Sequence, residues 1–389
     1  MVSQESRLLT LAAVGDVSPN RDDPPSVFRY SRHVLREADI VFGQMEVPLS
    51  DRGIPMLSTN MPRRLAARNV RALTDEGAGS DVMSFASNHA MDYGREAFCD
   101  TLDILERSGI AVVGAGRDIQ EARKPAVLSR NGTRIGFLAY LSVVNHGSVA
   151  QENAPGCAPL RASTSYQHVH HWPGTPLLTI TELFPQDKKL MEEDIKRLRP
   201  QVDVLAVSMH SGLVHYRGML AMYQTEAAHA AIDSGADLVL QHHAHILKGI
   251  EVYKSKAIFY SLGNFALEHT LGFEGDQRAS GRAGEEFRRQ VYRIRAEPGY
   301  EKHSFRHDSL KTMIAKVYIA DKRIAKVTYL PAYITPDLEP EVVGQGDPRA
   351  QQVFAYVKDI SESEDLPARF SWDGEEVLVS PPAGSQPGE

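Results

Sequence analysis

The sequence predicts an α/β fold in which central β-sheets are flanked by helices. Two observations carry this. Short apolar, β-branched runs recur at residues 8–14, 38–43, 80–86, 111–116, 135–144, 202–209, 236–241 and 256–262. Segments with helical spacing separate several of them, and strands alternating with helices build βαβ units and a largely parallel, covered sheet. A third observation sets the scale: 389 residues, 42% hydrophobic and 24% charged, suffice for a large core and exclude a disordered, collagenous or coiled-coil chain.

The helical segments can be taken in order. Val27, Tyr30 and Val34 follow Ser26, an N-cap candidate, and Ala66, Val70 and Leu73 form an i, i+4, i+7 stripe. Phe98, Leu102 and Leu105 repeat that stripe in a helix that ends at Gly109, and another helix runs from about 219 to 234 and stops at Gly235. Near the C-terminus two alternating runs, 313–320 and 323–334, read as a β-hairpin turned at Asp321–Lys322 that completes a sheet. Residues 1–379 are read as one domain with loop insertions at about 146–185 and 268–309, and 380–389 as a disordered Pro/Gly/Ser tail.

Composition also bounds function. With 43 Lys+Arg against 50 Asp+Glu the net charge is −7, which argues against a nucleic-acid partner. Cys99 and Cys157 read as reduced thiols. There is no secretory pattern and no apolar run of about 18 residues, so the expectation is a cytoplasmic chain without a membrane partner.

The chemistry lies at the strand ends. Asp16, Glu46, Asn88 with His89, His210, and the run His242, His243, His245 each follow a different apolar strand. In an open α/β sheet ligands bind at the carboxyl ends of strands, where loops converge. The His243-Ala-His245 spacing, in an extended segment, puts both imidazoles on one side. Imidazoles, carboxylates and an amide oxygen together suit Mn²⁺, Fe²⁺ or Zn²⁺ better than Ca²⁺ or a thiolate-selected metal.

The strings VGDVSPNRD, ADIVFGQMEVPLS, SNHAMDYG, VSMHSGLVHYRG, QHHAHILKGIEVY and IFYSLGNF occur in this order over about residues 8–267. Together they closely resemble the poly-γ-glutamate capsule-synthesis (CapA-like) family, whose fold is similar to that of calcineurin-like metallophosphoesterases. The resemblance implies a metallophosphoesterase-like layered fold with a centre for one or two divalent ions. A first ion would take Asp16, Glu46 and His245; a second would take Glu46, Asn88, His210 and His243, with Glu46 bridging. His89 would face the substrate and its leaving group, and Asp92, three residues on, would orient the His89 ring. The sequence departs from the wider pattern at Ser18, where a histidine is usual, which leaves the first site weak, water-rich or empty. Gln44, Met45 and Gln241 also replace the Asn, Leu and Gly of the family and are expected to crowd the site edge.

The mechanism expected from these ligands is hydrolysis by a metal-activated water, with His89 protonating a leaving amine or alkoxide. Further positions are open to two readings. Asn264 would hold a ligand or stabilise a turn; Glu251 and Tyr260 sit at strand ends near the same edge; His242 packs beside its neighbours. His215 and Tyr216 would line the pocket. Thr59, Asn60, Arg63 and Arg64 would recognise a carboxylate or phosphate, or simply cap a helix. The cluster His168, His170 and His171 would bind a second metal or nothing specific. The expected function is a metal-dependent hydrolase acting on a small molecule, with carboxylate-bearing compounds among the candidates, through an amide, lactone or ester-type bond. The alternatives are a capsule synthesis or export component, a phosphoesterase, or a scaffold without catalysis.

Overall fold

The computed structural model describes residues 8–56, 62–268 and 298–382. Two mixed sheets face each other. The first runs in the order Arg369–Asp373, Glu376–Ser380, Arg323–Ile334, Lys311–Ala320, Leu9–Ser18, Ile40–Met45, Val82–Ser84, Ala111–Val113. The second runs Ile250–Tyr253, Lys256–Phe259, Leu238–His242, Val204–His210, Thr133–Leu141, Ala126–Arg130. Its four inner strands are parallel and its two outer strands antiparallel. The predicted α/β class, with central sheets flanked by helices, therefore holds.

Period-2 alternation explains how the layers stack. Phe137, Ala139 and Leu141, Val204 and Ala206, Leu238 and Leu240, and Phe259 share one core with Leu11, Ala13, Phe42 and Met83 of the first sheet. Across this layer the Phe42 and Phe137 rings stack 5.6 Å apart. The intervening residues Leu138 and Tyr140, Leu205 and Val207, Val239 and Ile258 turn the other way. They bury Met191 and Ile195 of the helix Pro185–Leu198 and Ala227 and Ala231 of the helix Met222–Asp233. A strand flanked on both faces must be apolar at every position, hence the continuous runs read from the sequence.

The helix Gly94–Arg107 buries the predicted Phe98, Leu102 and Leu105. It closes at Gly109, whose φ of +78° lets the Ile110 N–H reach back to the Leu105 carbonyl. The hairpin Lys311–Ala320/Arg323–Ile334 turns at Asp321–Lys322, both with positive φ as a two-residue turn requires.

Three expectations need correction. The stripes at 27–34 and 66–73 form short 3₁₀ turns, Pro24–Phe28 and Ala67–Ala72, with only Arg32–Glu37 α-helical between them. Three apolar positions define a face but do not supply the length that helix nucleation needs. The stretch 146–185 is not one loop: Ala162–Gln167 and Leu178–Leu183 pair as an antiparallel hairpin, and Gly156–Cys157 pairs with Ala115–Gly116. The tail begins later than expected, because the strand Glu376–Ser380 includes its first residue. Residues 269–297 of the second insertion, 383–389 of the tail, and Thr59 and Asn60 lie outside the described residues.

Cys99 and Cys157 are free thiols, and burial pushes Cys157 up to about 12. Among the described residues no helix is long and apolar enough to cross a membrane.

Candidate metal centre

The centre forms where ends of both sheets meet. Asp16, near the end of Leu9–Ser18, pairs with Gln44 on one side and Asn264 on the other. That second pairing depends on Gly15: a Cβ there would stand 2.0 Å from the Gly263 carbonyl oxygen, while the Asp16 N–H bonds that same oxygen at 3.0 Å. Gly15→Ala is therefore expected to lower stability by about 3 kcal/mol, as overpacking against rigid backbone does; denaturant unfolding checks this.

His210 ends its strand, and His242 ends the neighbouring one in register with it. His243 and His245 follow in a left-handed conformation, φ +88° and +57°, which for non-glycine residues costs about 1–3 kcal/mol each. The expected extended H-x-H geometry is thus wrong, since the strand stops at His242. The two imidazoles still converge, with centroids 6.0 Å apart, because the turn rather than the strand aims them.

All six expected ligands come together. Glu46 lies between two histidines, with Oε1 3.7 Å from His245 Nε2 and Oε2 3.6 Å from His210 Nε2. His210 Nε2 is 2.7 Å from Asn88 Oδ1 and 3.2 Å from His243 Nδ1. Asp16 Oδ2 is 3.5 Å from His245 Nδ1. Asp16, Glu46 and His210 offer donor atoms all within 4.8 Å of one another.

The electrostatics of this pocket favour a cation. Asp16, Glu46 and His210 are almost wholly inaccessible to solvent. Both Asp16 oxygens and Glu46 Oε1 are buried without a hydrogen-bond partner. Burial pushes Asp16 up to about 8. Burial first, and the Asp16 charge second, hold Glu46 well above the carboxylate range. Burial likewise keeps His210 and His245 well below the usual imidazole value and His243 at about 3. Neutral imidazoles with lone pairs to donate, beside acids that gain from a nearby positive charge, form a donor set that fits a divalent transition metal.

Other predicted positions divide. His89 Nδ1 lies 2.7 Å from Asp92 Oδ2, which also accepts the Arg63 backbone N–H at 2.9 Å. Asn264 is at the centre, its Oδ1 2.8 Å from His245 Nδ1, so it orients that ring. His215 is buried with its ring 5.9 Å from that of His245, whereas Tyr216 is half exposed and contributes its carbonyl to the buried Lys248 ammonium. Arg64 bonds the Arg52 carbonyl and covers the Tyr93 ring.

Glu251 and Tyr260 do not belong to this edge. Tyr260 donates to Glu251 at 2.6 Å, and Glu251 pairs with His229 at 2.9 Å, on the helix-covered face. Gln241 also turns that way, to Ser211 and Gln224, and so does not crowd the site. Gln44 is buried and bonds the Met45 and Ala86 carbonyls. His168, His170 and His171 sit in the exposed connection of the 162–183 hairpin.

Sequence reasoning missed four supporting residues. Ser87 Oγ donates to the Glu46 carbonyl at 2.6 Å, and Asn145 Nδ2 to the Asn88 carbonyl at 2.6 Å. Phe305 packs its ring 4.8 Å from His245 and 5.6 Å from His215, while Arg306 bonds the His215 carbonyl. Ser87, directly before Asn88, was the one a motif scan could have flagged.

The profile described as "Bacterial capsule synthesis protein PGA_cap" matches residues 10–269. The "PGA biosynthesis protein CapA" of Bacillus subtilis (strain 168) is 28% identical over 271 residues, 67% of this chain and 64% of that protein. The "Capsule biosynthesis protein CapA" of Bacillus anthracis is 28% identical over 276 residues, 68% of this chain and 61% of its own length. This chain thus spans less than two thirds of either relative. The calcineurin-like phosphoesterase YfkN from Bacillus subtilis aligns over 92% of this chain and 97% of its own, at 10% identity and a TM-score of 0.38, too loose a likeness to carry an assignment. The family profile covers all six residues gathered at the centre, and the chain belongs to the bacterial capsule synthesis protein (PGA_cap) family.

Proposed function

We propose that this protein is a metal-dependent hydrolase of small molecules. Its centre would hold one or two divalent transition ions (Mn, Fe or Zn) through Asp16, Glu46, Asn88, His210, His243 and His245. One observation carries the reading: three buried carboxylate oxygens without partners face neutral imidazoles, an arrangement costly to keep unless a cation satisfies it. A bound divalent ion supplies a lowered water pKa, from 15.7 toward ~7, and polarisation of the scissile group.

The chain's own residues account for the rest. Asn264 fixes the His245 ring, and Ser87 and Asn145 pin the backbone at Glu46 and Asn88. Asp92 holds the Nδ1 side of His89, so that Nε2 is the nitrogen that passes a proton to a leaving amine or alkoxide. Arg63 follows in the loop beside Asp92, where its guanidinium would meet a substrate carboxylate. An amide, lactone or ester-type bond fits this apparatus. The family description favours a second reading, a part in capsule polymer synthesis or export.

The test begins with protein purified without chelator. One to two transition ions per chain, and a drop in unfolding temperature on adding EDTA, are expected; no metal and no drop would overturn the proposal. Metal-loaded protein is then screened against amides, lactones, imides and phosphodiesters. Turnover confined to phosphodiesters would identify a phosphoesterase, and polymer binding without turnover would favour the capsule reading.

A further inference from the structure

We propose that His242 is itself a metal ligand, acting through Nδ1 on the Asp16 side of the centre. This rests on the metal reading above and extends it to a residue outside the six-ligand set.

The argument starts from the strand. Leu238, Leu240 and His242 alternate onto the same face of Leu238–His242, the one turned into the layer between the sheets. The first two are core leucines. A third apolar residue would fill the same space at no electrostatic cost, yet a histidine stands there, fully buried, with its ring 6.3 Å from that of Phe42. Neither His242 nitrogen has a hydrogen-bond partner, and leaving such a group unsatisfied costs about 1–3 kcal/mol. Packing alone does not explain the choice.

What the ring faces is Asp16. His242 Nδ1 lies 3.8 Å from Asp16 Oδ1, an oxygen that also lacks a partner. That distance is too long for a hydrogen bond. It suits two donors sharing one ion, since ligand atoms held at about 2.0–2.2 Å from a cation lie within about 4.4 Å of each other. The two oxygens of Asp16 then face two imidazoles, Oδ1 toward His242 and Oδ2 toward His245. Ser18, two residues along the same strand, is buried with its hydroxyl unpartnered and supplies no nitrogen, so His242 provides the second imidazole on this side.

The experiment uses the full chain, stripped of metal and titrated with Co²⁺. The wild type should bind Co²⁺ without any thiolate band, which also shows Cys99 and Cys157 to be silent. His242→Cys should add a near-ultraviolet thiolate-to-cobalt charge-transfer band. His242→Met should lose one equivalent of Co²⁺ or bind it at least tenfold more weakly, while its unfolding temperature in EDTA is unchanged or higher. If the wild type binds Co²⁺ but His242→Cys shows no band and His242→Met keeps the full stoichiometry and affinity, the assignment is overturned. If the wild type takes up no Co²⁺, the metal reading itself falls, and this inference with it. Should His242→Met fail to fold, the His242→Cys spectrum alone decides.

Discussion

Glu46→Gln is expected to cost at least about 100-fold in metal affinity and on the order of 10³-fold in metal-dependent turnover, without weakening the metal-free fold. The side chain is fully buried between His245 and His210, 3.7 and 3.6 Å from their Nε2 atoms, so one carboxylate reaches both of these imidazoles. Its acidity is held down by burial and then by the charge of Asp16. In the metal-free protein two acids thus share a dry pocket with little to compensate a negative charge. Glutamine keeps the shape and the Ser87 contact at the Glu46 backbone carbonyl, but removes one ionisable group. Metal content measured after gel filtration should fall to background, while the unfolding temperature in EDTA should match or exceed the wild type. A variant that retains full metal and turnover would show that the pocket does not depend on this carboxylate. One that loses stability in EDTA as well would assign Glu46 a structural role instead.

Much of this centre was legible in the sequence because the strands that deliver it are buried on both faces. Runs such as VDVLAVSM and ADLVLQ are apolar at nearly every position, so their ends are sharply marked, and the first polar residue after each falls at the sheet edge. Asp16, Glu46, Asn88, His210 and the run His242, His243, His245 follow those strand ends, and the resemblance to the CapA-like family is what implies the six-ligand set among them. The rule fails where side-chain direction matters. Gln241 and Tyr260 also sit at strand ends, but alternation turns them to the helix layer, and one residue of register separates them from the site. The left-handed turns at His243 and His245 left no mark, since histidine is not the residue that such backbone calls for. Phe305 and Arg306 reach the pocket from some 60 residues beyond His245, a proximity that no local pattern encodes. The 162–183 hairpin was hidden for a simpler reason: its strands are solvent-exposed, and an exposed strand carries no hydrophobic alternation to read.

His89→Ala should separate chemistry from metal binding, keeping the wild-type metal content and fold while turnover falls by about 10²–10⁴. The geometry argues for both halves of this result. His89 is only partly buried, so trimming it leaves little cavity, and its backbone N–H remains bonded to Ser87 Oγ at 3.0 Å, which keeps Asn88 in place. What is lost is an imidazole already oriented for proton transfer. Asp92, nearly inaccessible to solvent, holds its Oδ2 2.7 Å from His89 Nδ1 and takes the Arg63 N–H at 2.9 Å, so the carboxylate is fixed from two sides. That arrangement keeps Nδ1–H on the carboxylate, so the proton handed to the leaving group is the one on Nε2 of the imidazolium, which returns to the Nδ1–H tautomer. Asp92→Asn should therefore impair turnover less than His89→Ala, by about 10–100-fold, because the ring stays but is no longer held in place by the carboxylate. The pair of variants makes the assignment testable once a substrate is in hand. Steady-state kinetics alongside metal analysis should place both losses in kcat, with the double variant no worse than His89→Ala alone, since Asp92 acts through the histidine. Near-normal turnover in His89→Ala would remove it from the reaction, and additive losses in the double variant would mean that Asp92 works through Arg63 instead.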